Sequence, residues 1–129
     1  MTGPFIYVGT WTIKDGKLDE AKKILEEHAE LIETNEPRLI SFNFYLDEGA
    51  GTVGVVQVHP DSTSMELHLQ LVAEHLSGAF DYLDTTVSEQ YYGTKSQHLT
   101  ELLSPWEEPG GPVTNLPTHL AGFTRTSIR

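Results

Sequence analysis

The chain contains no cysteine, and features of several other protein classes are also missing. With Cys 0 among 129 residues, it cannot have a disulfide framework, a thiolate nucleophile or a zinc site built on cysteines. The sequence has no apolar run of about 18 residues, so we do not expect a membrane-spanning helix. No basic and apolar leader precedes the first strand-like segment, which predicts a cytoplasmic protein.

Basic residues are scarce. The 8 Lys and Arg residues are outnumbered by 19 Asp and Glu residues, for a formal net charge of -11. This charge repels phosphate backbones and anionic membrane surfaces, so neither a nucleic acid nor a membrane is expected as a partner. A neutral or weakly charged small molecule is compatible with the composition.

The common nucleotide-binding and hydrolytic motifs are absent. The sequence has no P-loop, no HExxH, no EF-hand loop and no GxSxG. Residues 49–54, GAGTVG, match GxGxxG by letter. A strand is predicted after them, however, where the dinucleotide fingerprint needs a helix. We therefore predict no nucleotide cofactor.

The spacing of apolar residues predicts the element order β-α-β-β-α-β. Alternating β-branched and aromatic residues predict strands over 5–13, 38–47, 53–59 and 85–92. Apolar residues at spacings of three and four predict helices over about 18–35 and 62–76. This order is that of a ferredoxin-like α+β domain with both helices on one face of the sheet.

We expect residues 1–93 to form this domain and residues 94–129 to form a C-terminal extension. The extension should contain a short helix, a Pro- and Gly-rich connector, and a strand over 120–124 at a sheet edge or on a partner. Ile6 and Val8 indicate apolar side chains on the sheet face away from the helices. We therefore expect a homodimer whose sheets face each other, with exchange of the extension left open.

Histidines are the candidate catalytic residues. His68 and His75 flank the apolar stripe of the second helix, about 10 Å apart along its axis, and His28 lies on the apolar face of the first helix. His68 and His75 are our candidate general bases, because histidine titrates closest to neutral pH. His28 is either a substrate-binding residue or a hydrogen-bonded core residue. No metal site is predicted, since the i, i+4 chelate spacing is missing.

Polar and aromatic side chains in the strands are the candidate binding residues. Asn43, Tyr45 and Gln57 interrupt apolar strands, and buried amides need hydrogen-bond partners, either within the protein or on a ligand. Tyr7 and Trp11 share one face of the first strand. They either pack in the core or form the flat wall of an aromatic ligand site.

Two segments resemble the antibiotic-biosynthesis-monooxygenase superfamily of dimeric α/β barrels. Residues 13–20, IKDGKLDE, are similar to the family's "vkpGkldef" segment. Residues 58–62, VHPDS, lead into 65–69, MELHL, which resembles the family's strand into a helix bearing "aHl". The resemblance covers about residues 5–93. His68 falls where the family often has a histidine, whereas His75 lies further along than the family's usual second histidine.

The resemblance implies a cofactor-independent monooxygenase that acts on an electron-rich aromatic molecule, such as a quinol or an anthrone, with O2. The substrate would lose a proton to His68 or His75, pass an electron to oxygen and form a peroxide that collapses to a quinone. Asn43 and Gln57 would hold the oxyanion, and Tyr7, Trp11 and Tyr45 would form the walls.

Other functions stay open. One alternative is a non-catalytic small-molecule-binding or accessory protein of the same fold. Another is a metal-dependent enzyme that uses His28, His68 and His75. Heme degradation is not expected, because that branch has an asparagine where this chain has Gly9 and a tryptophan that its second helix lacks.

Overall fold

The computed structural model describes residues 3–75, 77–106 and 111–125, without the side chains of His75, Ser77, Ala79, Phe80 and Trp106. The strands are β1 (Phe5–Ile13), β2 (Ser41–Asp47), β3 (Thr52–His59), β4 (Leu83–Tyr92) and β5 (Val113–Leu116). The helices are α1 (Leu18–Asn35), α2 (Ser62–His75) and α3 (Gln97–Leu103), with short 3-10 turns at Ser77–Tyr82 and Ser104–Trp106.

The five strands form one sheet in the order β2-β3-β1-β4-β5. The pairs β1·β3, β1·β4 and β2·β3 are antiparallel, and β5 runs parallel to β4. The element order and the antiparallel core confirm the predicted α+β, ferredoxin-like fold. The homodimer stays a prediction, as does the division into residues 1–93 and 94–129.

Strand alternation determines which side chains face the helices. In β3, Val53, Val55, Gln57 and His59 are buried while the residues between them are partly exposed. Because successive side chains in a strand point to opposite faces, this alternation defines a helix-covered face and an open face. Phe42 and Tyr7 both pair with Gln57 in register, so they lie on the helix-covered face.

Helices α1 and α2 bring apolar side chains and histidines to this face. Ala21, Leu25, His28 and Ile32 are the buried residues of α1, as their spacing predicts. Helix α2 begins after Asp61, whose Oδ1 accepts a hydrogen bond of 2.9 Å from the Ser64 backbone N–H. This contact satisfies one of the unpaired donors at the start of the helix.

The C-terminal extension differs from its prediction. The edge strand is β5, in register from Glu89↔Val113 to Tyr92↔Leu116, and residues 120–124 are not a strand. Segment 113–116 follows the connector and lies along the outer edge of β4. The backbone N–H and C=O groups on that edge of β4 are available for hydrogen bonds to another strand. Leu120 and Phe123 are 93% and 76% exposed, so residues 120–124 form no edge strand in this chain, and their docking on a partner stays a prediction.

Helix α3, also in the extension, packs into the core of the preceding domain. Leu99 and Leu103 are buried in one cluster with Phe5, Tyr7 and Tyr91. The start of the extension is therefore part of the hydrophobic core. Across the described ranges, no helix has the length and apolar character needed to cross a membrane.

Candidate active site

A cavity of about 280 Å³ lies between the helix-covered face of the sheet and helices α1 and α2. Side chains from β1, β2, β3, β4 and all three helices line it, and most are apolar. Its volume is near the lower end of the range for small-molecule pockets. Five of the predicted site residues line it: Tyr7, Trp11, His28, Gln57 and His68.

Gly9 lies between Tyr7 and Trp11 on one face of β1 and leaves space for both aromatic rings. The Tyr7 and Trp11 rings are 6.4 Å apart between centroids. A Cβ atom at Gly9 would lie 2.4 Å from the Tyr7 hydroxyl oxygen and 2.5 Å from the Trp11 ring. Only a glycine therefore leaves room for both rings at this wall of the cavity.

His68 forms a buried pair with Glu36. Its Nδ1 lies 2.8 Å from Glu36 Oε2, and the two side chains are 4% and 8% exposed. Glu36 follows the last residue of α1 and precedes Pro37, a position where helical geometry is disfavoured. No described residue hydrogen-bonds to His68 Nε2, and His68 lines the cavity. The pair is arranged as a base with its orienting carboxylate.

His59 and Gln57 form a neutral chain of hydrogen bonds beside this pair. His59 Nε2 lies 2.9 Å from Gln57 Oε1, and His59 Nδ1 lies 2.8 Å from Ser64 Oγ. Burial, and then the nearby charge of His68, lowers the pKa of His59 to about 3, despite an opposing effect of Asp61. A neutral His59 then donates to Gln57 Oε1, which leaves the Gln57 amide N–H groups for the cavity.

His28 lies against two phenylalanines and has no polar partner among the residues that the structure describes. Its ring stacks on Phe42 at 5.7 Å and meets Phe44 edge-on at 5.6 Å. Burial, and then the charge of His68, lowers the pKa of His28 to about 4, so the ring is neutral at neutral pH. Neither ring nitrogen has a hydrogen-bond partner among the described residues.

A carboxylate on β4 forms a second polar group in the cavity. Glu89 Oε2 accepts a hydrogen bond of 2.7 Å from the Tyr7 hydroxyl and one of 3.3 Å from the Tyr91 hydroxyl. The two phenol rings are 4.9 Å apart between centroids. Glu89, Tyr7 and Tyr91 all line the cavity, so it contains proton-exchanging groups besides the His68–Glu36 pair.

Three of the predicted site residues are not placed in the cavity. Asn43 and Tyr45 alternate with the inward-facing Phe42 and Phe44, so they lie on the open face of the sheet. Asn43 donates to Ser41 Oγ at 3.0 Å, and Tyr45 is 64% exposed. In a single chain they therefore do not line this cavity, and their contact with a ligand stays a prediction. The His75 side chain lies outside the described residues.

Two carboxylates of the site, Glu36 and Glu89, were not predicted. Glu36 continues a helix rich in exposed acidic residues, and only its position before Pro37 distinguishes it in the sequence. Glu89 is the acidic residue of the predicted fourth strand, but nothing local indicates that two tyrosines bind it. In the part of the chain that the structure describes, no three His, Asp or Glu residues are placed to share a metal ion.

Comparison with solved structures identifies the fold. MupZ from Pseudomonas fluorescens superposes with a TM-score of 0.73 at 19% identity, over 99% of each chain. A candidate antibiotic biosynthesis monooxygenase from Caulobacter crescentus CB15 has a TM-score of 0.59 at 17% identity, over 70% of this chain and 88% of its own. A candidate of the same kind from Chloroflexus aurantiacus J-10-fl has a TM-score of 0.58 at 16% identity, over 69% and 90%. The chain has the fold of antibiotic biosynthesis monooxygenases.

These similarities confirm the expected resemblance at the level of the fold. At such identities a shared fold does not determine a reaction, because function depends on the site that a fold carries. No protein-family model and no curated protein matches the chain. The MupZ match covers 99% of this chain and therefore includes most of the C-terminal extension, whereas the two other structures match 69% and 70% of the chain.

Proposed function

We propose that the protein is a cofactor-independent monooxygenase for a small, electron-rich aromatic molecule of the quinol or anthrone type. The observation that carries this proposal is the buried His68–Glu36 pair on an apolar cavity of about 280 Å³. An aromatic substrate fits such a lining, and a histidine backed by a carboxylate is suited to removing its acidic proton. The shared fold of the monooxygenase structures supports the same reaction class.

In this proposal His68 Nε2 takes a proton from the substrate carbon or hydroxyl. Glu36 holds the opposite nitrogen and stabilises the imidazolium that forms. The substrate anion passes one electron to O2, and the resulting radical pair combines to a peroxide at the substrate carbon. For an anthrone, loss of water from this peroxide breaks the O–O bond and leaves the quinone carbonyl, so one O2 gives one carbonyl and one water.

Gln57 is the proposed donor to the developing oxyanion. Its Oε1 is occupied by His59, so its N–H groups are directed to other partners, and Gln57 lines the cavity. Preorganised donors of this kind stabilise negative charge strongly where water is excluded. Tyr7 and Trp11 are the proposed aromatic walls. Asn43 and Tyr45 have no part in the proposal within one chain.

A redox-neutral proton-transfer reaction is the second candidate. The observation that favours it is the Glu89 cluster with Tyr7 and Tyr91, which adds a further carboxylate and two phenols to the cavity that contains His68. A base and an acid on one substrate catalyse isomerisation or ring closure without O2. A non-catalytic binding protein would use the same cavity without either reaction.

Oxygen uptake distinguishes these functions. We expect the protein to accelerate O2 consumption by 1,8-dihydroxyanthrone above the uncatalysed rate, with one O2 used per quinone formed. His68→Ala should lower the enzymatic rate by roughly 10²- to 10⁴-fold, the usual contribution of a general base. The matched control is His98→Ala, because His98 is exposed and outside the cavity.

Other outcomes of these assays would refute the role of His68 or favour one of the alternative functions. Full activity in folded His68→Ala would refute His68 as the base. Substrate conversion without O2 uptake would favour the proton-transfer enzyme. Binding of the anthrone with no conversion under air would favour the binding protein.

A homodimer through the open sheet face is part of the proposal. Ile6 and Val8 alternate there with the buried residues of β1 and are only partly buried. A contiguous exposed apolar patch often marks an interaction site, and we propose that a second copy of the chain covers this one.

A further inference from the structure

His28 carries a hydrogen-bonding capacity that the protein leaves unused. The side chain is 5% exposed and lines the cavity. Neither Nδ1 nor Nε2 has a partner in the described part of the chain. Buried polar atoms without partners are rare, because each one forfeits the hydrogen bonds that it makes with water in the unfolded chain. An unpaired imidazole aimed into a cavity is therefore best explained by a ligand that completes it.

The charged groups of the cavity are unfavourable for an anion. Of the described lining residues, Asp84 and Glu89 are acidic and none is Lys or Arg. His68 gains a positive charge when it takes a proton, but Glu36 lies against it at 2.8 Å and offsets that charge. Lys95 Nζ lies 3.8 Å from the Tyr91 ring centroid, but Lys95 is not a lining residue. The chain as a whole carries a formal net charge of -11.

We propose that the cavity selects neutral ligands whose hydroxyl or carbonyl oxygen hydrogen-bonds to His28, and that it discriminates against the same ligands when they bear a carboxylate. This proposal rests on the proposed function, since it concerns the same cavity, and it narrows the substrate to uncharged phenols and ketones. A neutral imidazole has one N–H donor and one acceptor nitrogen. The N–H can donate to a carbonyl oxygen of the ligand, and the acceptor nitrogen can accept from a phenolic hydroxyl.

The discrimination follows from desolvation. A carboxylate that enters the cavity loses its water shell, and this cost is recovered only where a cation or several donors replace the water. The described lining supplies no Lys or Arg side chain and places the Glu89 carboxylate nearby. A neutral hydroxylated ring loses far less hydration. The cavity should therefore prefer the neutral member of a matched pair.

The test is a binding measurement that involves no turnover. The probes are 1,8-dihydroxyanthraquinone and its 3-carboxylate, two unreactive molecules that differ by one carboxylate. Binding is followed by quenching of Trp fluorescence, since Trp11 lines the cavity. We expect the wild-type protein to bind the neutral quinone at least about 10-fold more tightly than the carboxylate. Glu89→Gln should narrow this difference by removing a like charge.

His28 is tested with two variants. His28→Leu should weaken binding of the neutral quinone by about 5- to 30-fold, the usual effect of one lost hydrogen bond. His28→Asn, which keeps a donor and an acceptor, should recover part of the loss. His98→Leu is the control, because His98 is more than half exposed and not a lining residue.

Two results would overturn the proposal: equal or tighter binding of the carboxylate, or unchanged binding of the neutral quinone to folded His28→Leu. If the His28 variants fail to fold, ¹⁵N NMR of the wild-type histidines decides, because an unshifted His28 ring on addition of the neutral quinone also refutes the contact. Failure of the oxygenase proposal looks different, since the binding preference would persist while O2 uptake is absent.

Discussion

Replacing Glu36 by glutamine separates the role of the carboxylate from that of the fold. The substitution keeps the size and shape of the side chain and removes its negative charge. Glu36 Oε2 lies 2.8 Å from His68 Nδ1, and both side chains are nearly buried, at 8% and 4% exposed. In Glu36→Gln we expect activity to fall while the fold persists, because the carboxylate acts on the charge that His68 acquires during turnover.

The magnitude follows from the kind of hydrogen bond that is lost. Hydrogen bonds to a charged group contribute about 1.5–3 kcal/mol, and in the proposed mechanism transfer of the substrate proton places a positive charge on His68. The interaction is thus stronger in the transition state than in the free enzyme, and its loss appears in the rate. We expect kcat/KM to fall by about 10- to 150-fold, since each 1.36 kcal/mol is a factor of ten.

The Glu36→Gln variant should be as stable as the wild type or slightly more stable, although its activity falls. Glu36 Oε1 is buried and has no hydrogen-bond partner among the described residues. Burying a carboxylate with an incomplete set of partners costs free energy, and a neutral amide avoids part of that cost. We therefore expect the urea midpoint of Glu36→Gln to equal or slightly exceed that of the wild type.

The assay combines turnover with a direct view of the imidazole. O2 uptake with 1,8-dihydroxyanthrone gives kcat/KM, and ¹⁵N NMR of the His68 ring reports the tautomer, which the carboxylate holds with the proton on Nδ1. Glu33→Gln is the matched control, because Glu33 is an exposed acidic residue on α1. A Glu36→Gln enzyme within twofold of the wild type, with an altered His68 tautomer, would refute the assigned role of the carboxylate.

Two further predictions concern the fold and its pH dependence. Gly9→Ala should destabilise the protein by about 1–3 kcal/mol, because its Cβ would meet Tyr7 at 2.4 Å and Trp11 at 2.5 Å; Gly54→Ala is the control in urea unfolding, since its nearest neighbour is at 3.5 Å. Equal midpoints for the two variants would contradict the crowding at Gly9. Burial, and then the charge of His68, lowers the pKa of His28 to about 4. Between about pH 6.5 and pH 4, His28 therefore binds a proton in the unfolded chain but not in the folded chain. The free energy of unfolding should fall as the pH drops through this range. His28→Phe should reduce that slope by about 1.4 kcal/mol per pH unit, and an unchanged slope would show that His28 is not buried as a neutral ring.

The sequence predicts the elements well because their signals are local. Strand β1 has its predicted bounds, Phe5–Ile13, and α1 ends at Asn35, just before Pro37. Strand β2 begins at Ser41 instead of position 38, because the Leu39 N–H bonds back to the Glu36 carbonyl at 3.2 Å and forms a turn. Hydrophobic period and turn residues suffice for these elements.

The site is harder to predict because its contacts join distant parts of the chain. Glu36 and His68 are 32 positions apart, and Tyr7 and Glu89 are 82 apart. No local pattern contains either pair. Asn43 and Tyr45 were assigned to the cavity because polar residues in an apolar strand suggest a site, yet alternation places them opposite the inward-facing Phe42. The alternation itself was visible in the sequence, but which face the helices cover was not.

Three histidines are buried in or beside the cavity, His28, His59 and His68, and their partners distinguish them. His59 is held between Gln57 and Ser64, both neutral, and burial keeps its pKa near 3. His28 has no polar partner at all in the described chain. Of these three, His68 is the one with a hydrogen-bonded carboxylate among the described residues. The Phe42 ring at 5.5 Å and the His59 ring at 5.8 Å from the His68 ring, between centroids, restrain its orientation.

A proton taken from a substrate needs a site where the new charge is compensated. His59 and His28 are buried and have no carboxylate hydrogen-bonded to them among the described residues, and burial lowers the pKa of both. The charge of His68 contributes to both lowered pKa values, so the cluster favours one proton at a time. Under the proposed function, proton transfer therefore falls to His68, and His28 is left to bind a neutral oxygen of the ligand.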